Sequence, residues 1–105
     1  MTRNRPRDNA EWIDDLGNEE SRAEALVDLR DYLARAVFVY LDRHREDLAD
    51  LDRSELAHLV DDFAQDALIQ ILEKLDTFEG KSKFTTWAYR FVINIAAAEL
   101  RLHRW

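Results

Sequence analysis

Residues 61–104 read DDFAQDALIQILEKLDTFEGKSKFTTWAYRFVINIAAAELRLHR. Two helical periods can be read in them, separated by one short break. Val60, Phe63, Ala64, Ala67, Leu68, Ile71, Leu72 and Leu75 recur at spacings of three and four, which predicts one apolar helical face. Asp52 followed by Glu55, or else Ser54, supplies a start signal, so the predicted helix runs over 54–76. Gly80 breaks the pattern within the loop 77–83. Ser82 or Thr85 then caps a last helix reaching the chain end, with a predicted core face of Phe84, Trp87, Ala88, Phe91, Ile95, Ala98 and Leu102.

The remainder of the chain agrees with a helical fold. Only two Gly and one Pro occur in 105 residues, too little turn chemistry for a sandwich or barrel. Glu19 to about Arg45 is a second long helix, with Leu26, Leu29, Leu33, Ala36, Val37 and Tyr40 on one face. Its acids lie at the start (Glu19, Glu20, Glu24), and His44 and Arg45 lie at its end, as the helix dipole favours. Glu46 to Asp52 is a polar connection. Glu11 to Leu16 forms a short helical turn that docks Trp12 and Ile13 on the core and stops at Gly17-Asn18. Residues 1–10 read as a loose basic arm. The expected fold is all-α: three main helices plus a short N-terminal one, with residues 1–18 as arm and short helix and 19–105 as the helical domain.

A chain of this length forms one domain. It has no cysteine, which removes disulfides and thiolate metal sites. It has no apolar run near the roughly 20 residues of a membrane span, and its first residues lack a signal-peptide core. A cytoplasmic protein with no membrane partner is expected.

Charge is unevenly distributed. The net charge of −7 arises from residues 11–79, where twenty acids face six Arg and one Lys. Residues 80–105 carry two Lys and three Arg against Glu99 alone. Two partners of different character are therefore conceivable. On the acidic helix, Asp62, Gln65, Asp66 and Glu73 oppose the apolar stripe, and Ile69 falls among them. Such a face is either a solvated surface with one apolar side chain or a protein interface whose apolar centre is ringed by steering charges. On the last helix, Arg90, Asn94, Ala97, Arg101 and Arg104 form a stripe away from the core, extended by Thr86. Cations, an amide and small side chains suit a phosphate backbone and base edges. Nearby aromatics suit unstacked bases, unless Phe84 and Trp87 are simply core.

Other chemistry is excluded. Gly80-Lys81-Ser82 is not a P-loop, because Leu75 stands where that motif needs glycine and no strand precedes it. His44, His58 and His103 have no metal-ligand spacing, and no cofactor or metal is expected. Asp61 and Asp62 are adjacent, so they diverge around a helix and form no acid–base dyad. No nucleophile is paired with a base, so an enzyme is not expected.

The stretch resembles region 2 of bacterial RNA polymerase sigma factors of the extracytoplasmic-function type. The resemblance rests on DDFAQDALIQILEKLDTF and EGKSKFTTWAYRFVINIAAAELR. It runs through Asp61, Asp62, Gln65, Asp66, Lys74, Leu75, Phe78, Gly80, Phe84, Thr86, Trp87, Tyr89, Arg90, Asn94 and Arg101. It implies that Asp62, Gln65, Asp66, Ile69, Leu72 and Glu73 meet the clamp-helix coiled coil of the largest subunit of the RNA polymerase core. It also implies that Gly80, Lys81, Ser82, Lys83, Phe84 and Thr86 form a loop capturing a flipped non-template base of the promoter −10 element. Trp87, Arg90, Asn94 and Arg101 would support or contact that strand.

The family's basic helix end is denser than Glu99-Leu100-Arg101-Leu102-His103-Arg104-Trp105. This fragment alone is therefore expected to bind duplex DNA poorly, with the polymerase supplying the missing affinity. Family members also continue into a second helical domain for the −35 element, so the sequence reads as an excised domain, the favoured reading, or as an unusual single-domain member. A second reading remains: a helical adaptor that meets only proteins, as a decoy or as the target of an anti-sigma factor.

Overall fold

The computed structural model describes residues 6–102. Its order is α1 (Asn9–Gly17), α2 (Glu19–Asp42), α3 (Arg53–Glu73) and α4 (Phe84–Leu102), with 3-10 turns at Arg45–Leu48 and Leu75–Thr77. The described residues contain no strand, so the all-α expectation holds.

Helix ends follow local chemistry. Asp8 and Glu11 close a capping box that starts α1 two residues before the predicted turn, and Asp52 and Glu55 close the same box on α3. Asn18 leaves α1 in extended conformation and caps α2, its side chain accepting from the Glu20 N–H at 3.0 Å. α2 ends at Asp42, so His44 and Arg45 lie beyond it rather than in its last turn. α3 ends at Glu73 and tightens into the 3-10 turn, so Leu75 and Asp76 are not part of it.

α2 packs against α1, α3 and α4, and α3 packs against α4. The core joins Trp12 and Leu16 of α1 to Leu29, Leu33 and Val37 of α2, to Phe63, Leu68 and Ile71 of α3, and to Phe84 and Val92 of α4. Each large side chain buried in this way contributes about 1.5–3 kcal/mol. The buried ridges of α2 (Ala25, Leu29, Leu33, Val37, Leu41) and α4 (Phe84, Ala88, Val92, Ala96, Leu100) step by four. Each such step overshoots a full turn by about 40°, so the buried line winds around the helix. The straight stripe expected for α4 therefore drifts out of the core. Trp87, Phe91, Ile95 and Ala98 are only half-buried, and Leu102 is 59% exposed. On α2, Leu26, Ala36 and Tyr40 flank the buried ridge for the same reason.

The N-terminal segment is not a loose arm from residue 7 onward. Arg7 lies over the Trp12 ring at 4.7 Å and bridges Asp15 of α1 and Asp28 of α2, both at 2.7 Å. Its side chain is only 4% exposed. Burial alone would lower its pKa, but the hydrogen bonds and charges of the two carboxylates outweigh that and raise it. The guanidinium stays charged and ties the chain entry to two helices. Residues 1–5, also assigned to the arm, lie outside the described residues.

Replacing Arg7 by Leu should lower the unfolding free energy by about 1–3 kcal/mol, because it strips two carboxylates of their partner. Asp28 is more than a third exposed, so water screens its share. Arg43→Leu, at an exposed site, should change stability by less than about 0.5 kcal/mol. Equal denaturant midpoints for the two variants would show that the Arg7 bridge contributes nothing in solution.

Candidate polymerase and nucleic-acid interfaces

At 3.6 residues per turn, Asp62, Gln65, Asp66, Ile69, Leu72 and Glu73 fall within about 120° of the circumference of α3. All six side chains are exposed. Ile69, 48% exposed, is at the centre of the arc, and Leu72, 37% exposed, lies at its edge. Leu72 therefore belongs to this outer face and not to the core stripe assigned to it from periodicity. The surface joins an apolar centre to three carboxylates. His58, also exposed, extends the same face towards the start of α3; sequence reasoning weighed it only as a metal ligand.

The loop before α4 is shaped by its backbone. Gly80 has φ of +75°, a left-handed conformation in which an L side chain is strained although nothing crowds its Cα. Lys81 and Lys83 extend into solvent, and Lys81 pairs with Glu79 at 3.1 Å. Ser82 is half-buried, and its hydroxyl donates to the Lys83 carbonyl. Thr86, Arg90, Asn94 and Arg101 are exposed along one side of α4, with Ala97 half-exposed between them, as the stripe required. Arg104, assigned to the same stripe, lies outside the described residues. So do His103 and Trp105.

One assignment changes. Phe84 is fully buried, packed 5.3 Å from Trp12, 5.4 Å from Phe78 and 5.5 Å from Trp87 by ring centroids. It has no surface to offer a ligand, and its part is to hold the loop's end. Trp87 is half-buried, packed 5.1 Å from Phe78 and 4.9 Å from Phe91 by ring centroids. The cap of α4 also differs from expectation. Neither Ser82 nor Thr85 accepts the first helical N–H. The Phe84 N–H donates to Asn9 Oδ1 at 2.7 Å, and Asn9 Nδ2 donates to the Ser82 carbonyl at 2.9 Å.

A groove of about 730 Å³ opens beside this junction, where Asp31, Tyr32 and Arg35 of α2 face Lys83 and Thr85. Burial raises the Tyr32 hydroxyl above its ordinary pKa, partly offset by its hydrogen bond to Thr85. Among the described residues no cluster of acids and histidines could hold a metal ion, and no helix is long and apolar enough to cross a membrane.

The sequence matches the family described as Sigma-70 region 2 over residues 33–105. The chain belongs to that family. It is therefore a promoter-recognition domain of the sigma-factor class, a transcription-factor domain whose partners are the RNA polymerase core and promoter DNA. No curated protein and no solved structure matches it. The matched stretch takes in α3, the loop, α4 and the later part of α2. α1 and the first turns of α2 precede it.

Gly80→Ala should cost about 1–2 kcal/mol of stability, the usual penalty for an L residue in the left-handed region. Ile69→Ala should leave the denaturation midpoint within experimental error, since half of its side chain is already in water. A midpoint for Gly80→Ala equal to wild type would show that the loop readily takes another conformation.

Proposed function

We propose that α3 docks on the clamp-helix coiled coil of the polymerase largest subunit. The loop 79–83 and the exposed side of α4 then receive the unpaired non-template strand of the −10 element. The observation that carries this reading is a change of sign between two helices packed on each other. The outer face of α3 offers Asp62, Asp66 and Glu73 around Ile69. The loop and α4 offer Lys81, Lys83, Arg90 and Arg101 beside Thr86 and Asn94.

Each face suits its partner physically. An acidic rim steers a basic coiled coil, and Ile69 with Leu72 supplies apolar area that water leaves on contact. Exposed cations along a single strand gain from released counterions. Turning a base out of its stack costs a few kcal/mol. Phosphate contacts and a loop already folded around Gly80 offset that cost. Phe84 and Trp87 hold the wall against which the strand lies. The motif Phe84-x-Thr86-Trp87-x-Tyr89-Arg90 supports placing the domain with the extracytoplasmic-function type, acting in the cytoplasm where the polymerase works.

The test uses two variants per face. Asp66→Arg and Ile69→Asp should each weaken retention on isolated clamp helices by about tenfold, with unchanged binding of a −10 single-stranded oligonucleotide. Lys83→Ala and Arg90→Ala should do the reverse, and each should reduce the salt slope of oligonucleotide binding by about 0.7. If all four variants retain both partners, the assignment of faces is wrong. If no oligonucleotide binds even at low salt while the clamp helices do, the domain acts on proteins alone.

A further inference from the structure

Within the loop proposed to receive the strand, only the Lys81–Glu79 pair and the Ser82–Lys83 hydrogen bond are local, and both are exposed. Among the described residues, one hydrogen bond ties residues 79–83 to another helix: Asn9 Nδ2 to the Ser82 carbonyl. The same carboxamide accepts from the Phe84 N–H. The orientation of that amide is forced, because a carbonyl only accepts and a backbone N–H only donates. A side chain of this reach that both donates and accepts across one plane is asparagine. Aspartate lacks the donor.

Asn9 is itself held on both sides. It is the first residue of α1, directly after the Asp8 cap of the Asp8–Glu11 box. Arg7 anchors the chain before it through Asp15 and Asp28. Trp12, one turn later, stacks on Phe84 at 5.3 Å with an interplanar angle of 22°. The chain entry, α1 and the first residue of α4 thus form one connected junction.

We propose that Asn9 is a positioning residue for strand capture, fixing residues 82–84 in the conformation that receives the DNA. α1, which precedes the stretch matched to the family, is then a working part of the DNA-binding surface. The inference deepens the function proposed above and rests on it. Ordering a loop before its ligand arrives removes that ordering cost from the binding step. Asn9 touches no DNA in this scheme and acts through the Ser82 carbonyl and the Phe84 N–H.

The test compares Asn9→Ala, which loses both bonds, with Asn9→Asp, which keeps an acceptor for the Phe84 N–H and loses the donor to Ser82. The full chain is used, with wild type alongside. Amide hydrogen exchange is read over residues 79–84, and affinity is read for a −10 single strand and for isolated clamp helices. Both variants should exchange faster in the loop and bind the strand on the order of tenfold more weakly, the size of one lost hydrogen bond. Clamp-helix affinity should not change, which separates positioning from general unfolding. Because Asn9→Asp retains the acceptor for the Phe84 N–H, its melting temperature should fall less than that of Asn9→Ala while the loop effect persists. Wild-type exchange in both variants overturns the role of Asn9. So does faster exchange with full strand affinity. Absence of strand binding by the wild-type chain overturns the DNA-capture reading itself, and the positioning role falls with it.

Discussion

Phe84 is the constraint on which the rest of the arrangement depends. Its ring is removed from water by Trp12 of α1, Phe78 of the loop approach and Trp87 of its own helix. Edge and offset contacts of this kind add roughly 0.5–1.5 kcal/mol per pair beyond the area they bury. The loop 79–83 has no ladder of its own, so the fixed position of Phe84 determines where it ends. A left-handed glycine at position 80 and the Asn9 carboxamide then shape the backbone between Phe78 and α4.

The same packing explains how one small domain presents two surfaces of opposite sign. α3 and α4 bury their apolar sides against each other and against α2, so what each exposes is set by the residues left over. On α3 these are carboxylates around one isoleucine. On the loop and α4 they are lysines, arginines, an amide and a threonine. A net charge of −7 would by itself argue against nucleic acid, yet charge acts over about 8–10 Å at physiological salt, so a local cationic surface keeps its own character.

Much of this was legible in the sequence, and the rest failed for identifiable reasons. The helices, the Asp52–Glu55 box, the outward face of α3 and the Thr86–Arg101 stripe all follow from local spacing, which a sequence displays directly. The core stripe of α4 is not legible from periodicity, which assumes a straight face, whereas α4 buries a ridge that winds as it crosses its neighbours. Leu72 was assigned to core and interface at once, and only packing could decide between them. Arg7 and Asn9 were missed altogether. The Asp8–Glu11 capping pattern was available and could have moved the start of α1 to Asn9. The partners of Asn9 could not be read, since they lie 73 and 75 residues away in the chain.

That distance bears on how the domain is built. A helix that caps itself can be shortened or extended without consequence elsewhere. α4 instead takes its cap from α1, so the start of α4 gains that bond only once the N-terminal segment has docked. Docking in turn needs Arg7 between Asp15 and Asp28 and Trp12 under its guanidinium. The bonds of Asn9 span 73 and 75 residues of the chain, so they form only when that long loop is closed. The exposed cations of the loop and α4 are thus local in sequence, and the bonds that tie the loop to α1 are not. A fragment beginning at Glu19 would keep every cation of the loop and α4 and still lack the two bonds and the stacked ring that hold them in place.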